Sequence, residues 1–223
     1  MVPIRQDLAN KANYGGRKSG PNRYIVVHYT ANDGDSDESN ARYFKDNVVK
    51  ASANYFVDDD SITCTVPPEY IAYHCGTSGT YFHPYCRNYN SIGVELCDAH
   101  RDGIVMATEK TQANAAELIA MLMKKYGIPI TNVIRHYDVT HKLCPAYWVK
   151  DPAGFEQFKK RILEADEMIE QSYILVDGKR KPVRRILKDG QNFINLRDLV
   201  TALAGPVNID VGSQGSIPVL TID

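Results

Sequence analysis

Three chemically useful side chains crowd into the stretch I-R-H-Y-D-V-T-H-K-L-C-P-A-Y-W between Ile134 and Trp148. His136 and Cys144 stand eight positions apart, and Lys142 comes two residues before the thiol. Imidazole and thiolate together suit zinc, which takes nitrogen and sulfur donors in a tetrahedron. In a catalytic site three positions go to protein and the fourth to water. The third donor is expected from His28, which ends the run Arg23-Tyr24-Ile25-Val26-Val27-His28. That run is β-branched and aromatic, as a buried strand would be, and ligands collect at the C-terminal ends of strands in α/β sheets. The residue types therefore predict a zinc site made of His28, His136 and Cys144.

These residues need a scaffold, and hydrophobic periodicity supplies its outline. Ser91 to Cys97 reads as a second buried strand, interrupted by Glu95. A carboxylate there is costly to bury without a partner or a task, so Glu95 either serves in catalysis or points outward from an edge strand. From Thr108 the period changes: Ala115, Leu118, Ile119, Leu122, Met123 and Tyr126 recur at three and four, predicting an amphipathic helix that ends at Gly127. A second helix is expected from Pro152, with Phe155, Phe158 and Ile162 on one stripe, and Ser36 or Asp37 caps a short helix carrying Ala41 and Phe44. Asn54 to Val57 and Ile62 to Val66 flank Asp58-Asp59-Asp60-Ser61 as a hairpin whose aspartates are read as a solvated turn. Residues 71–90 read as one long loop fit to line a cleft, and Val133-Ile134 as a short strand leading into the loop from His136 to Trp148. The fold class expected is α/β, a central mixed β-sheet flanked by helices, with a small C-terminal β-rich module.

Across all 223 residues, 43% are hydrophobic and 24% charged, with a formal net charge of −1. That composition fits a globular protein and gives no whole-chain electrostatic case for nucleic acid or an anionic membrane as partner. The five cysteines, Cys64, Cys75, Cys86, Cys97 and Cys144, are odd in number and not closely paired, unlike the disulfide framework of a small secreted domain. Residues 1–10 carry Arg5 and Asp7 and no apolar core of signal-peptide length, so synthesis in a host cytoplasm without a signal peptide is expected.

The segments V-V-H-Y-T-A-N, S-I-G-V-E-L-C, the R-H at Arg135-His136 and H-K-L-C-P, in this order, carry a resemblance. Over roughly residues 1–165 the chain resembles the zinc-dependent N-acetylmuramoyl-L-alanine amidases of the type 2 amidase and peptidoglycan-recognition superfamily, notably phage endolysins and prophage autolysins. The resemblance implies a zinc cofactor, Gram-positive peptidoglycan as partner, and action at the cell wall after release. It gives Glu95 and Lys142 catalytic roles and brings His74, Asn54 and Thr30 near the substrate. His74, in A-Y-H-C-G, is either such a substrate-facing imidazole or a hydrogen-bonded loop histidine. Some relatives place a catalytic tyrosine where this chain has Ala53.

Two other readings remain open: a non-catalytic peptidoglycan-binding protein, and a closed structural zinc or redox site in which His141 or Cys75 is the fourth ligand. Residues 166–171 are expected as a helical linker. Beyond it, residues 172–223 carry two Asp-Gly pairs, at 177–178 and 189–190, that signal hairpins. This part resembles the stalk-like modules related to the copper amine oxidase N-terminal domain. It holds seven basic against five acidic residues, the rest of the chain 19 against 22. A secondary wall polymer or a second copy of the chain is the partner expected for it.

Overall fold

The computed structural model describes residues 2–76, 80–101, 104–166, 170–176, 179–188, 191–194, 196–203, 209–214 and 217–222. Two compact units divide the chain, Met1–Asp166 and Glu167–Asp223.

In the first unit the strands are Ile4–Gln6 (β1), Tyr14–Arg17 (β2), Tyr24–Tyr29 (β3), Tyr55–Val57 (β4), Ile62–Cys64 (β5), Tyr70–Ala72 (β6), Ser91–Leu96 (β7), Ala99–Arg101 (β8), Ile104–Met106 (β9) and Val133–Arg135 (β10). Its helices are Asp37–Asp46 (α1), Glu109–Tyr126 (α2), His136–Thr140 (α3), Ala146–Lys150 (α4) and Pro152–Asp166 (α5). Six strands form one mixed sheet in the order β1-β5-β4-β7-β3-β10, in which only β4 and β5 pair antiparallel.

Side-chain alternation sorts each central strand into two faces. Ile25 and Val27 of β3, with Ile92, Val94 and Leu96 of β7, pack with Leu118, Ile119 and Leu122 of α2 and Phe155, Phe158 and Ile162 of α5. The opposite face holds Tyr24 and Val26 of β3 and Ile134 of β10, covered by Cys75, Cys86 and Val139. His28, two residues after Val26, and Glu95, one before Leu96, fall on this second face. Strand β7 lies between β4 and β3, so Glu95 is on a central strand and the edge-strand reading is lost.

Local signals explain the ends of the elements. Ser36 caps α1, its hydroxyl accepting from the Ser39 amide at 3.1 Å, while the Ser39 hydroxyl accepts from the Ser36 amide at 3.0 Å. Thr108 caps α2, and Gly127 ends it at φ 64°, a left-handed conformation that glycine adopts without strain. The aspartate turn is less solvated than expected. Asp58 accepts the Asp60 and Ser61 amides, both at 2.9 Å, and Asp59 accepts the Thr111 hydroxyl at 2.8 Å, which ties the turn to the start of α2.

The segment after His136, expected as a continuous loop, holds two single helical turns, α3 and α4. Arg135 makes them possible. Its guanidinium donates to both carboxylate oxygens of Asp138, at 2.7 and 3.1 Å, and to the Trp148 carbonyl at 2.9 Å.

The second unit has a three-stranded antiparallel sheet of Glu170–Val176 (β11), Lys179–Lys188 (β12) and Gln191–Ile194 (β13), then a helix Leu196–Leu203 (α6) and a hairpin of Ile209–Gln214 (β14) with Ile217–Ile222 (β15). The Asp-Gly pairs lie outside the described residues, but Val176 pairs with Lys179 and Lys188 with Gln191, leaving two residues for each connection. Of the helical linker expected over 166–171, residues 167–169 lie outside the described residues, and the expectation is corrected at Glu170 and Gln171, which pair with Arg185 and Arg184. The register set at Val176 and Lys179 runs unbroken to Glu170, so ladder hydrogen bonds claim those residues.

Candidate metal centre

Strand register builds the site before any loop contributes. His28 pairs directly with Glu95 across β3 and β7, and Glu95 pairs with Phe56 across β7 and β4. On the other side Arg135 pairs with Val27, so His136, one residue on, arrives beside His28. The two imidazoles meet edge to face, with ring centroids 4.6 Å apart. Cys144 comes in from the turn between α3 and α4, held by its carbonyl accepting from the Tyr137 amide at 3.0 Å; its bond to Pro145 is cis.

His28, His136 and Cys144 are all buried, and one donor atom from each lies within 4.8 Å of the others. The Cys144 sulfur is 3.7 Å from His28 Nδ1. Zinc bonds of about 2.3 Å to sulfur and about 2.0 Å to nitrogen, at a tetrahedral angle, separate two such atoms by about 3.6 Å. Both ring nitrogens of His136 are buried without a hydrogen-bond partner. A buried imidazole in that state is destabilising, and coordination to a cation is the interaction that its lone pair lacks. The donor set therefore fits a zinc ion.

Electrostatics supports the same assignment. Burial, then the neighbouring Lys142 charge, holds His136 down to about 4, and burial with the adjacent His136 holds His28 well below its usual range. Both imidazoles are neutral donors at neutral pH. Burial, reinforced by Glu95, pushes the Cys144 thiol up to about 12, a shift that a bound dication reverses by stabilising the thiolate. The Glu95 side chain is 20% exposed, with one oxygen 3.9 Å from His28 Nδ1 and the other unpartnered. Burial raises its carboxyl to about 8, and the Lys142 charge opposes that rise. Beside them opens a cleft of about 530 Å³, lined by Thr30, Asp35, Tyr43, Phe56, Glu95 and Lys142 among others.

The remaining expected site residues divide. Thr30 lies in the cleft wall. His74 contacts the donor cluster, its Nδ1 3.0 Å from His28 Nε2. Asn54 is corrected: it is fully buried, its amide donating to the Val66 carbonyl at 2.9 Å and accepting from the Gly93 amide at 2.9 Å. Both ends of the side chain tie β4 to its surroundings in the sheet, and nothing is left for a substrate. Ala53 is buried as well. The candidates for a fourth protein ligand are engaged elsewhere. Cys75 donates to Asn88 Oδ1 at 3.2 Å, and His141 stacks on Phe82 with centroids 3.5 Å apart. Among the described residues the His28, His136 and Cys144 cluster is the one group of His, Cys, Asp or Glu donors with geometry that could hold a metal ion.

Sequence reasoning missed Asp98. It is buried after β7 and accepts the Ala31 amide at 2.7 Å, fixing the turn that follows the ligand strand, where Ala31 has φ 57°. A lone aspartate after a strand carries no sequence signal for that task.

The sequence pattern of the N-acetylmuramoyl-L-alanine amidase family matches residues 18–147. The chain belongs to that family. It is 33% identical over 230 residues to the N-acetylmuramoyl-L-alanine amidase CwlL of Bacillus licheniformis, a match covering 97% of this chain and 63% of CwlL. It is 35% identical over 165 residues to BlyA of Bacillus subtilis, covering 69% of this chain and 44% of BlyA. The chain thus spans less than two thirds of these relatives. Among solved structures, the XlyA catalytic domain superposes with a TM-score of 0.60 at 31% identity, over 72% of this chain and 99% of that one. A mutant endolysin from Bacillus subtilis gives 0.61 at 30%, over 73% and 99%. The family match ends inside α4, so the amidase motifs all fall in the first unit.

The burial of Asn54 yields a test. Asn54→Ala removes two buried hydrogen bonds and leaves the Gly93 amide unpaired, so unfolding free energy should fall by about 1–3 kcal/mol in denaturant titration. Zinc affinity of the folded fraction should fall much less than in a ligand substitution, because Asn54 touches no ligand and reaches the site only through Gly93.

Proposed function

We propose that the chain is a zinc-dependent peptidoglycan hydrolase that cuts the amide between the lactyl group of N-acetylmuramic acid and the L-alanine of the stem peptide. The observation that carries this reading is the cluster of three neutral donors beside a half-buried carboxylate and a lysine, the last two of which line one cleft. The names of the Bacillus relatives support the bond and point to a Gram-positive wall as the target.

His28, His136 and Cys144 hold the metal. Bound zinc supplies a Lewis acid that polarises the scissile carbonyl and acidifies water. Glu95 is the general base. Its carboxylate takes a proton from the attacking water at the oxygen that faces the cleft, then returns it to the leaving amine nitrogen as a general acid. Lys142 extends from the turn that also carries Cys144, and its ammonium stabilises the negative oxygen of the tetrahedral intermediate. Thr30 contacts the substrate from the cleft wall. The second unit, with its small excess of basic residues, binds an anionic wall polymer, and the protein acts at the wall after release from the cell that makes it.

Glu95→Gln should keep stoichiometric zinc and lose about 10²–10⁴-fold in turnover. Cys144→Ser should lose metal affinity and activity together. The assay is the appearance of new L-alanine amino termini on Gram-positive peptidoglycan, with and without a chelator. Reducing sugar in place of new amino termini would mean a glycosidase and would remove this assignment. Deleting residues 167–223 should preserve cleavage of soluble muropeptides and weaken co-sedimentation with intact walls. Equal sedimentation by the truncated protein would exclude wall binding by the second unit.

A further inference from the structure

Every zinc-binding histidine has two ring nitrogens, and something must decide which one faces the metal. For His28 a directed chain of hydrogen bonds makes that choice. The chain begins at a group that can only accept, the Arg87 carbonyl, which takes the Ser91 hydroxyl proton at 2.7 Å. With its proton committed, Ser91 Oγ presents lone pairs to His74 Nε2, 3.0 Å away, so that nitrogen must carry the hydrogen. In the tautomer that carries its hydrogen on Nε2, the Nδ1 of His74 is bare. That atom lies 3.0 Å from His28 Nε2, which therefore donates to it. His28 then carries its hydrogen on Nε2 and turns the lone pair of Nδ1 toward Cys144 Sγ, 3.7 Å away.

The relay is held on three sides. The His74 and Cys75 amides both donate to Asn88 Oδ1, at 3.2 and 2.9 Å, which pins the backbone under the imidazole. Ser91 is fully buried at the start of β7. Gly93, two residues on along the same face, provides the space. A Cβ there would stand 2.6 Å from His74 Cγ, a distance no packing tolerates. The ring of His74 meets that of His28 at 87°, so the two imidazoles meet edge to face across the hydrogen bond.

We propose that His74, with Ser91 behind it and Gly93 beneath it, is a positioning residue that fixes the Nδ1-ligating tautomer of His28. The assignment rests on the proposed zinc site and adds a residue pair whose work is done at the metal rather than on the substrate. Hydrogen-bond partners of a ligating imidazole typically contribute about 10–100-fold to metal affinity.

The test uses the full chain, with zinc affinity read by competition against a chromophoric chelator and imidazole tautomers read by 15N NMR of the zinc-loaded protein. In the wild type, His28 should show a protonated Nε2 and a metal-shifted Nδ1. His74→Phe should weaken zinc binding by about 10–100-fold and expose the His28 Nε2 proton to rapid exchange. His74→Asn keeps an acceptor near the position of Nδ1, and should recover most of the affinity and the slow exchange. Ser91→Ala frees the His74 tautomer without altering the packing and should fall between the two. Wild-type affinity in both Ser91→Ala and His74→Phe, or a His28 that binds through Nε2, overturns the relay while leaving the zinc site standing. A wild-type protein that takes up no zinc removes the metal reading itself, and the relay with it. Should His74→Phe fail to fold, the comparison of Ser91→Ala with wild type decides alone.

Discussion

The register of four adjacent strands is the constraint on which the rest depends. Pairing of β10, β3, β7 and β4 sets His136, His28, Glu95 and Phe56 in one row across one face of the sheet. A slip of one residue in β3 or β7 would turn His28 or Glu95 toward α2 and α5 and put a polar group in the apolar core. The hydrophobic alternation that secures the core, Ile25 and Val27 on one strand and Ile92, Val94 and Leu96 on the next, thereby also aims the functional groups. Stability and site geometry share a single determinant.

Only Cys144 and Lys142 come from outside the row, and they arrive together. Arg135 links α3 and α4 through Asp138 and the Trp148 carbonyl, and Trp148 in turn stacks on Phe158 with centroids 4.5 Å apart. The thiol and the ammonium are thus delivered by a segment held by Val139 on one face of the sheet and by Trp148 in the helix-side core on the other. This matters for charge. Lys142 opposes protonation of the histidines and of Glu95, so one turn supplies a metal ligand and also tunes the donors and the base that surround it.

Much of this could be read from the residues. The β-branched run into His28, the three-four period of α2 and the His136-Cys144 pair each carry a strong local signal, and the structure brings the three donor residues together as expected. What stayed hidden depends on contacts made across long separations. Asn54 looks like any polar residue before a strand, and its burial follows from meeting Gly93 and Val66 in the sheet. The turns α3 and α4 resemble loop because their stability comes from Arg135 rather than from helical periodicity. The strand character of Glu170 and Gln171 is obscured because they suit a charged helix equally well, and only pairing with β12 decides.

Gly93 shows how an absence can be functional. In the sequence of β7 it is one small residue in an apolar strand, of the kind that weakens a sheet and needs a reason to be there. The structure supplies the reason: the imidazole of His74 occupies the volume that a side chain would take. The Gly93 amide is held by Asn54, so the strand gains a side-chain bond where it loses a side chain. The weakness that glycine introduces into the sheet is offset by a buried amide one strand away, and the space it opens admits a group that reaches the metal cluster. Asn54, expected to touch substrate, instead supports the residue that makes room for His74. Its influence on the site runs through packing, two contacts removed from the metal cluster.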